Sequence, residues 1–390
     1  MPSVAQAAPY AGFDTALGSD ADRAQALRQF SATRTGREKP SRYWKIDLEA
    51  IALDGFAIDP AFGSVAITSP SSRVIACDLE SAARDHSELF RRAFGSAIEP
   101  HHKFAHLTLA FAQLGAFVYV PADCSIDDPI AITYRVAAGQ SIFPYTVVLL
   151  ERGARATIIE RCVAGDGSFI AGVAEAVTGE NSTLTYASVQ DAPLDARVLF
   201  TRAARPGRGS TVAWMTAELG AALSVSDLAI AIAEPGADAQ IVTLFFPVGS
   251  QHVDLASTID HRVGPSRSQT AVKTAANGSG QGRYLGNIRI ARNAQQSEAS
   301  LRDDALLLSK TSHIDSIPAL EIAANDVKAF HGATVGALDD EQIFYMQSRG
   351  IERNAAERMI ALGFFEPVIE RFPTQALREE LRSALQRKVE

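Results

Sequence analysis

The feature that most constrains the fold is the regular recurrence of small polar turns through the middle of the chain. The lead residues of these turns are Gly153, Gly179, Gly209, Gly236, Gly264 and Asn293. They follow one another at intervals of 26, 30, 27, 28 and 29 residues, and the segments between them show the two-residue alternation of strands. Strand follows strand with no helical pattern between, and such a near-constant period is typical of a solenoid.

The turn period leaves two questions open. A β-sandwich also consists of many short strands, although its turns usually recur about every 8 to 12 residues. The repeat of roughly 27 residues fits either one long coil or a hairpin pair. Composition favours the solenoid, because 47% of the residues are hydrophobic and only 7% are aromatic. Small aliphatic side chains fill the narrow interior of stacked coils.

Changes of periodicity divide the chain into three parts. Helical apolar spacing predicts a mostly helical N-terminal region over residues 1–114. Residues 115–335 have the two-residue alternation and are predicted to form the β-helix core. Helical spacing returns in residues 336–390. The chain is therefore predicted to be mainly β, with helices on both sides of the solenoid.

The C-terminal region is predicted to contain three helices. Asp339 is placed to cap the first helix, and Gly363 is expected to follow the end of the second. In the last helix, Leu377, Leu381 and Leu385 lie at i, i+4 and i+8 and form one apolar face. That face must pack against another surface.

Charge and cysteine content exclude several classes of protein. The chain has 45 acidic and 37 basic residues, a net charge of −8, so a broad phosphate-binding face and a nucleic-acid partner are not expected. Cys77, Cys124 and Cys162 are too few and too scattered for a disulfide framework or a four-thiolate metal site. The N-terminus lacks the pattern of a signal peptide, and the longest aliphatic run, residues 147–150, is far below a membrane span. These features predict a cytoplasmic protein without a membrane segment.

Motifs for nucleotide binding and hydrolysis are missing from the sequence. It contains no Gly-x-x-x-x-Gly-Lys-Ser/Thr loop, no Gly-x-Gly-x-x-Gly between a strand and a helix, no His-Glu-x-x-His and no Gly-x-Ser-x-Gly. Residues 278–282 are glycine-rich, but they lie among strands and lack a following helix to bind phosphate. A loop between strands is the favoured interpretation, and no nucleotide site of the chain's own is expected.

Several histidines are candidates for metal binding or proton transfer near neutral pH. His101 and His102 lie where a helix begins, with no acidic or thiol partner at ligand spacing. His252, His261 and His313 lie in strand-rich segments beside aspartates, where a structural hydrogen bond to a carboxylate explains them equally well. The pattern assigns no function to any of the five.

His331 has a different setting, at the junction between the strand region and the helical tail. Gly332 and Gly336 allow close backbone approach, and Ala333 and Thr334 leave room for a partner surface or a ligand. From these residues alone, a structural histidine is favoured over a ligand.

Residues 318–338 and 343–351 form a block that resembles the SufB/SufD family of iron-sulfur cluster assembly proteins. Supporting segments are residues 43–45, 117–121, 128–130, 251–254, 258–261, 286–288, 294–295 and 306–309, together with Lys273. The resemblance runs from about residue 40 to the end of the chain. It implies a right-handed parallel β-helix (solenoid) between N-terminal and C-terminal α-helical regions, in agreement with the turn period.

Within that family the chain is similar to the SufD branch. SufB chains are longer and usually carry extra cysteines, including one two residues before the equivalent of His331. Ala329 occupies that position here, and alanine can neither ligate iron nor carry a persulfide. Leu301 stands where the family often has glutamine. The chain is therefore expected to supply fewer site groups than its partner.

The resemblance implies a non-catalytic scaffold subunit of the SUF complex. Such chains pair with a SufB-like subunit through the late coils of the β-helix and bind a SufC-like ATPase through the C-terminal helices. A transient iron-sulfur cluster is built at the junction of the two scaffold subunits, while the ATP-driven step belongs to SufC.

Carried over by position, His331 matches the histidine proposed to ligate iron of the nascent cluster, shared with the partner subunit. Phe364, Phe365, Pro367 and Ile369 lie in the segment that resembles the SufC-docking region. For Phe364 and Phe365, packing inside the chain is an equally good interpretation.

Two rival functions remain. One is a SufB-like scaffold that acts as a homodimer, a state that the isolated chain could also adopt. The other is a β-helix enzyme acting on polysaccharide, which would require export and clustered carboxylates on one coil face. Co-purification with SufB and SufC, reconstitution of a cluster on a homodimer, or glycan cleavage would distinguish the three.

Overall fold

Short strands accompany the helices of the N-terminal part. The computed structural model describes residues 20–32, 57–58, 63–99, 103–112 and 114–389. Its elements before residue 114 are α1 (Asp20–Ala32), β1 (Ala57–Ile58), β2 (Gly63–Thr68), β3 (Ile75–Asp78), α2 (Leu79–Asp85), α3 (Ser87–Ala93) and α4 (Lys103–Phe111). The expectation of a mostly helical region overlooked these strands. Each is only two to six residues long, so its own periodicity is too short to identify it.

The central part is a parallel β-solenoid of about eight coils, each adding one strand to each of two sheets. The first sheet contains β4 (Leu114–Val120), β7 (Pro144–Leu150), β9 (Phe169–Thr178), β11 (Arg197–Arg205), β13 (Leu223–Ile232), β15 (His252–His261), β17 (Gln281–Ile290) and β19 (His313–Ile322). The second contains β5 (Ile130–Val136), β8 (Arg155–Ala164), β10 (Thr183–Gln190), β12 (Thr211–Glu218), β14 (Asp238–Phe245), β16 (Arg267–Ala276), β18 (Glu298–Leu307) and β20 (Lys328–Ala337). The short β6 (Gln140–Ile142) pairs with β1 and β9.

The strand register answers both questions that the turn period left open. Thr183 of β10 pairs with Thr211 of β12, and Thr211 pairs with Asp238 of β14, all in parallel. Parallel pairing of every second strand excludes a hairpin as the repeating unit. One repeat is therefore one coil of two strands, and the solenoid is confirmed over the sandwich.

Left-handed turns at one corner explain several of the recurring small residues. Gly153, Asn181 and Gly209 have φ values of 67°, 54° and 62°. Glycine and asparagine adopt this conformation at the lowest cost. The amide of Gly153 donates to the carbonyl of Glu180, and the amide of Asn181 donates to that of Arg208, so successive corners stack on one another.

The C-terminal helices pack on the outer face of the second sheet. They are α5 (Asp340–Ser348), α6 (Arg353–Ile369) and α7 (Gln375–Val389). Leu377, Leu381 and Leu385 are fully buried there, as their spacing predicts. The prediction that the second helix ends before Gly363 was wrong, because α6 continues to Ile369. None of the described helices is long and apolar enough to span a bilayer.

The two ends of the solenoid differ. At the first end, β2 pairs antiparallel with β5, and β3 pairs antiparallel with β4. These added strands cover the edges of the first coil. At the other end, β19 pairs with β17 and β20 with β18, and no further strand of the described residues lies beyond them. Solenoids usually need a cap at each end, so the last coil is open to another molecule.

Two glycine substitutions are expected to change stability in opposite directions. A Cβ on Gly220 would lie 2.0 Å from the backbone nitrogen of Ala192 in the preceding coil. We expect Gly220→Ala to lower the free energy of unfolding by at least about 2 kcal/mol, because backbone cannot yield as a side chain does. Exposed Gly363 lies inside α6, where a Cβ would meet no atom within 4 Å. Gly363→Ala should raise the free energy of unfolding by about 0.5 to 1 kcal/mol. Chemical denaturation of both variants checks the pair, and equal effects would contradict the coil-stacking explanation.

Candidate functional site

The open last coil presents backbone and side chains to solvent. Every residue of β20 is exposed except the half-buried Ala329. Phe330 is 64% exposed and Val335 47%, and Ile322 of β19 is 43% exposed. An edge strand also offers a row of unpaired N–H and C=O groups. Apolar side chains next to free strand edges are typical of a protein-protein interface.

His331 lies on the inner face of this coil. It pairs in register with Leu301 of β18, which is buried in the solenoid core. Parallel strands in register keep the side chains of paired residues on the same face of the sheet. The imidazole of His331 therefore lies on the face of β20 that faces the solenoid interior. It is exposed because no further coil of the described residues covers it. The neighbouring inward residues, Ala329 and Ala333, are small. An imidazole with such space around it is able to bind a metal ion.

Gly332 and Gly336, beside His331, were expected to allow close backbone approach, but no other part of the described chain approaches them closely. A Cβ at Gly332 or at Gly336 would meet no atom within 4 Å. Nothing within the described chain therefore requires glycine at these positions. The free space lies on the exposed strand, where another molecule can approach the backbone.

The other histidines are explained by local structure or fall outside the description. His101 and His102 lie outside the described residues, as does the motif at residues 43–45. The ring of His313 is 3.1 Å from the Asp315 carboxylate, as its neighbours predict. His252 is half-buried at the start of β15. Among the described residues no three His, Cys, Asp or Glu side chains are grouped so that they could hold a metal ion.

Buried His261 is held by two serine hydroxyls and not by a carboxylate. Its Nδ1 lies 2.8 Å from the Ser266 hydroxyl, and its Nε2 lies 2.8 Å from the Ser268 hydroxyl. Burial lowers the pKa of His261 from 6.5 to about 4. The imidazole is therefore a neutral structural element of the fold.

The depressed pKa of His261 predicts a loss of stability in acid. The unfolded chain binds the proton near pH 6.5 and the folded chain only near pH 4. The contribution is thus complete above about pH 6.5 and is lost as the pH falls towards 4, for a total of about 3 kcal/mol. In His261→Gln this part of the pH dependence should vanish, as measured by chemical denaturation from pH 7 to pH 4. Parallel curves for the two proteins would contradict this assignment.

The cysteines do not supply a reactive thiol to the last coil. All three are free, and Cys124 and Cys162 are buried. Burial raises the pKa of half-buried Cys77 to about 11. Burial, with the nearby Glu160 carboxylate, also raises the pKa of Cys162. Protonated thiols are poor nucleophiles and poor metal ligands. Ala329 lies at the inner face of the coil, where a cysteine would have adjoined His331.

Asp303 is a residue of this region that sequence reasoning missed. It lies in β18 between the inward residues Leu301 and Ala305 and is fully buried. The Ser316 hydroxyl donates to its Oδ2. Burial, together with the neighbouring Asp304, raises the pKa of Asp303 to about 7 against the lowering effect of the Ser316 hydrogen bond. The signal in the sequence was a charged residue at an inward position of an alternating strand.

The segment expected to dock an ATPase is divided between core and surface. Phe365 and Ile369 are buried against the solenoid, and the ring of Phe365 lies 5.8 Å from that of Phe246. Half-buried Phe364 lies under the Lys273 ammonium at 4.3 Å, and Pro367 is exposed. Of the four residues, only Phe364 and Pro367 reach the surface. The exposed large apolar side chains of these helices are Phe344, Tyr345 and Met359, at 72%, 60% and 54%.

Comparisons with known proteins identify the family. The profile described as SUF system FeS cluster assembly, SufBD core domain, matches residues 133–364. A protein of Staphylococcus epidermidis named iron-sulfur cluster assembly SufBD family protein is 28% identical over 308 residues, covering 77% of this chain and 66% of that protein. One of Staphylococcus aureus with the same family name is 27% identical over the same lengths. The match thus spans just under two thirds of the relatives' length.

These findings test the family resemblance seen in the sequence. The relatives are named for cluster assembly and not for catalysis. The resemblance to the SufB/SufD family is therefore confirmed. The matched profile covers more than half of the chain and includes His331. The chain belongs to the SufBD family of iron-sulfur cluster assembly proteins.

Proposed function

We propose that this chain is a SufD-like scaffold subunit of a SUF iron-sulfur cluster assembly complex, and that the open last coil with His331 is its working face. The observation that carries the proposal is the asymmetry of the solenoid. Added strands cover the first coil, whereas β19 and β20 leave the last coil open with His331 on its inner side. In a family that assembles clusters, a ligand at an open end suits a site completed by a second subunit.

The open coil fits a SufB-like partner by its chemistry. Ile322 and Val335 are inward residues that lack the next coil over them. A second solenoid that docked here would bury them and would pair with the free edges of β19 and β20. The free strand edges and apolar side chains of one copy could also pair with the same groups of a second copy. A homodimer of the isolated chain is therefore the alternative assembly.

The cysteine pattern favours a SufD-like role over a SufB-like one. Ala329 provides no thiol beside His331, and the pKa values of Cys77 and Cys162 are raised. Thiolates are the usual ligands of iron-sulfur clusters, so sulfur and thiolate ligands must come from the partner. Free thiols in the chain suit a reducing cytoplasm.

His331 would act as a ligand to the iron of the nascent cluster, which is cargo and not a resident cofactor. Imidazole binds iron but holds a cluster less tightly than thiolate does. A site shared between one histidine and groups on the partner can hold a cluster and later release it. Iron at the subunit junction would thus be held until the two subunits separate.

The C-terminal helices would carry a SufC-like ATPase. Phe344 and Tyr345 of α5 and Met359 of α6 are exposed, so they replace the buried Phe365 and Ile369 as the candidate contacts, together with Phe364 and Pro367. The chain would need no nucleotide site of its own. Nucleotide-driven movement of two ATPase subunits would then be transmitted through α5 and α6 to the junction and open it.

Co-purification of paired valine variants tests the docking face. Val335 lies on the open coil and is 47% exposed, while Val163 lies on β8 in the second coil, far from the open end, and is 42% exposed. We expect Val335→Arg to reduce retention of a co-expressed SufB-like subunit at least tenfold, and Val163→Arg to leave it unchanged. Retention of the SufC-like ATPase should persist in both variants.

Other results would support a different function. If the wild-type chain formed a homodimer that reconstituted a cluster and ignored a SufB-like subunit, the SufB-like alternative would be correct. If Val335→Arg bound its partner as well as the wild type did, the open coil would not be the docking face.

A further inference from the structure

Asp303 is a buried ionisable group without full hydrogen bonding. Its side chain is 0% exposed, and Oδ2 accepts a hydrogen bond from Ser316. Oδ1 has no hydrogen-bond partner among the described residues. A carboxylate oxygen left unpaired in a core costs free energy, and native proteins keep few such groups. The free-energy cost of the unpaired oxygen therefore indicates that Asp303 is kept for a function.

The location of Asp303 places it directly beneath the open end. It is paired in register with Ala333 of β20, while His331 is paired with Leu301. Asp303 and His331 are thus on the same inward face, on adjacent strands and offset by two residues. Such diagonal neighbours have Cα atoms separated by about 8 Å. Ser316 lies on β19, in the same end coil as His331.

Glu160 and Glu218 are two buried carboxyl groups of the core that accept several hydrogen bonds. Glu160 accepts hydrogen bonds from Thr146 and Tyr186. Glu218 is paired with Arg202 at 3.0 Å and accepts a further bond from Ser224. Asp303 differs from both in its unpaired oxygen and in its place one strand below the last coil. Burial of a carboxyl as such is therefore not what distinguishes it.

We infer that Asp303 is a second iron ligand of this chain, which binds Fe(II) through its free Oδ1 together with His331 at the open end of the solenoid. The inference rests on the proposed function, since it adds a residue to the same site. A carboxylate and an imidazole are a ligand pair that suits ferrous iron. Small Ala333 lies above the carboxylate and leaves room for an ion between the two side chains. The remaining coordination positions stay open to water, to sulfur or to groups from the partner.

Anaerobic equilibrium dialysis of the full chain with Fe(II) alone tests this inference, and no partner is needed. The variants are Asp303→Asn, His331→Ala and, as a matched control, Glu160→Gln. We expect Asp303→Asn and His331→Ala each to weaken Fe(II) binding at least tenfold, and Glu160→Gln to leave it unchanged. Asparagine still accepts the Ser316 hydrogen bond and removes a buried charge, so the thermal midpoint of Asp303→Asn should equal or exceed that of the wild type. A purely structural Asp303 would show the opposite pattern.

The outcomes separate this inference from the proposed function. If His331→Ala weakens binding and Asp303→Asn does not, His331 remains the ligand and the assignment of Asp303 is overturned. If the wild type binds Fe(II) no better than a variant that carries both Asp303→Asn and His331→Ala, the two-residue site is overturned, while partner docking is judged independently by the valine variants. If Glu160→Gln weakens binding as much as Asp303→Asn, the effect belongs to the core in general and the inference fails.

Discussion

Replacing His331 with alanine is expected to abolish cluster maturation without preventing assembly of the complex. His331 is exposed, and its inward neighbours on β20 are alanines. The substitution therefore removes a ligand and leaves the fold intact. We expect at least a tenfold loss of cluster transfer to an acceptor protein, measured in cells or with the purified complex, at an unchanged yield of the complex.

His313→Ala is the matched control for this experiment. His313 is also an exposed histidine of the last coil, but it is at the start of β19 and is paired with Asp315. Its removal should leave cluster maturation within about twofold of the wild type. Full activity of His331→Ala in an intact complex would contradict the assignment of the ligand.

Breaking a buried ion pair inside the solenoid is expected to have a large effect on stability. The guanidinium of Arg202 is 3.0 Å from the Glu218 carboxylate, and the two side chains are 2% and 1% exposed. Glu218→Gln keeps the shape of the side chain but leaves a buried positive charge unpaired, which costs about 3 to 5 kcal/mol. Chemical denaturation followed by circular dichroism measures the change.

The same experiment needs two comparisons. Arg152→Ala breaks an exposed pair with Asp123, and we expect a loss below about 1 kcal/mol. Arg202→Met combined with Glu218→Leu removes both charges and should be much milder than Glu218→Gln alone, because an apolar pair has no charge to desolvate. A loss below about 1 kcal/mol for Glu218→Gln would refute the importance of the buried pair.

The solenoid was predictable because each repeat carries local sequence signals for its turns and its strands. Glycine and asparagine mark the left-handed corners, and the two-residue alternation marks the strands between them. The register followed only from the structure, since it joins residues a whole coil apart. The strands β2 and β3 were missed because they are defined by pairing with the first coil and not by their own pattern. The end of α6 was misplaced because tertiary packing of Val368 and Ile369 outweighs the helix-weakening Gly363.

The candidate site was only partly predictable. His331 was selected by resemblance to a family, while the residues alone favoured a structural histidine. Its position on an uncovered inner face depends on the order of the strands, which no local pattern contains. Asp303 is separated from His331 by a full coil in sequence, so spacing could not associate the two. Of the four residues expected to dock an ATPase, only Phe364 and Pro367 reach the surface. An apolar run in the sequence does not reveal which side chains of a helix face the core.

The most direct test of the central claim is pulsed electron-nuclear spectroscopy of the complex with a reduced nascent cluster, prepared with 15N-histidine in this chain only. The account predicts a 15N coupling to the cluster that disappears in His331→Ala and persists in His313→Ala. Absence of any 15N coupling in a cluster-loaded complex, or a coupling unchanged in His331→Ala, would contradict the claim that the open coil of this solenoid holds the cluster.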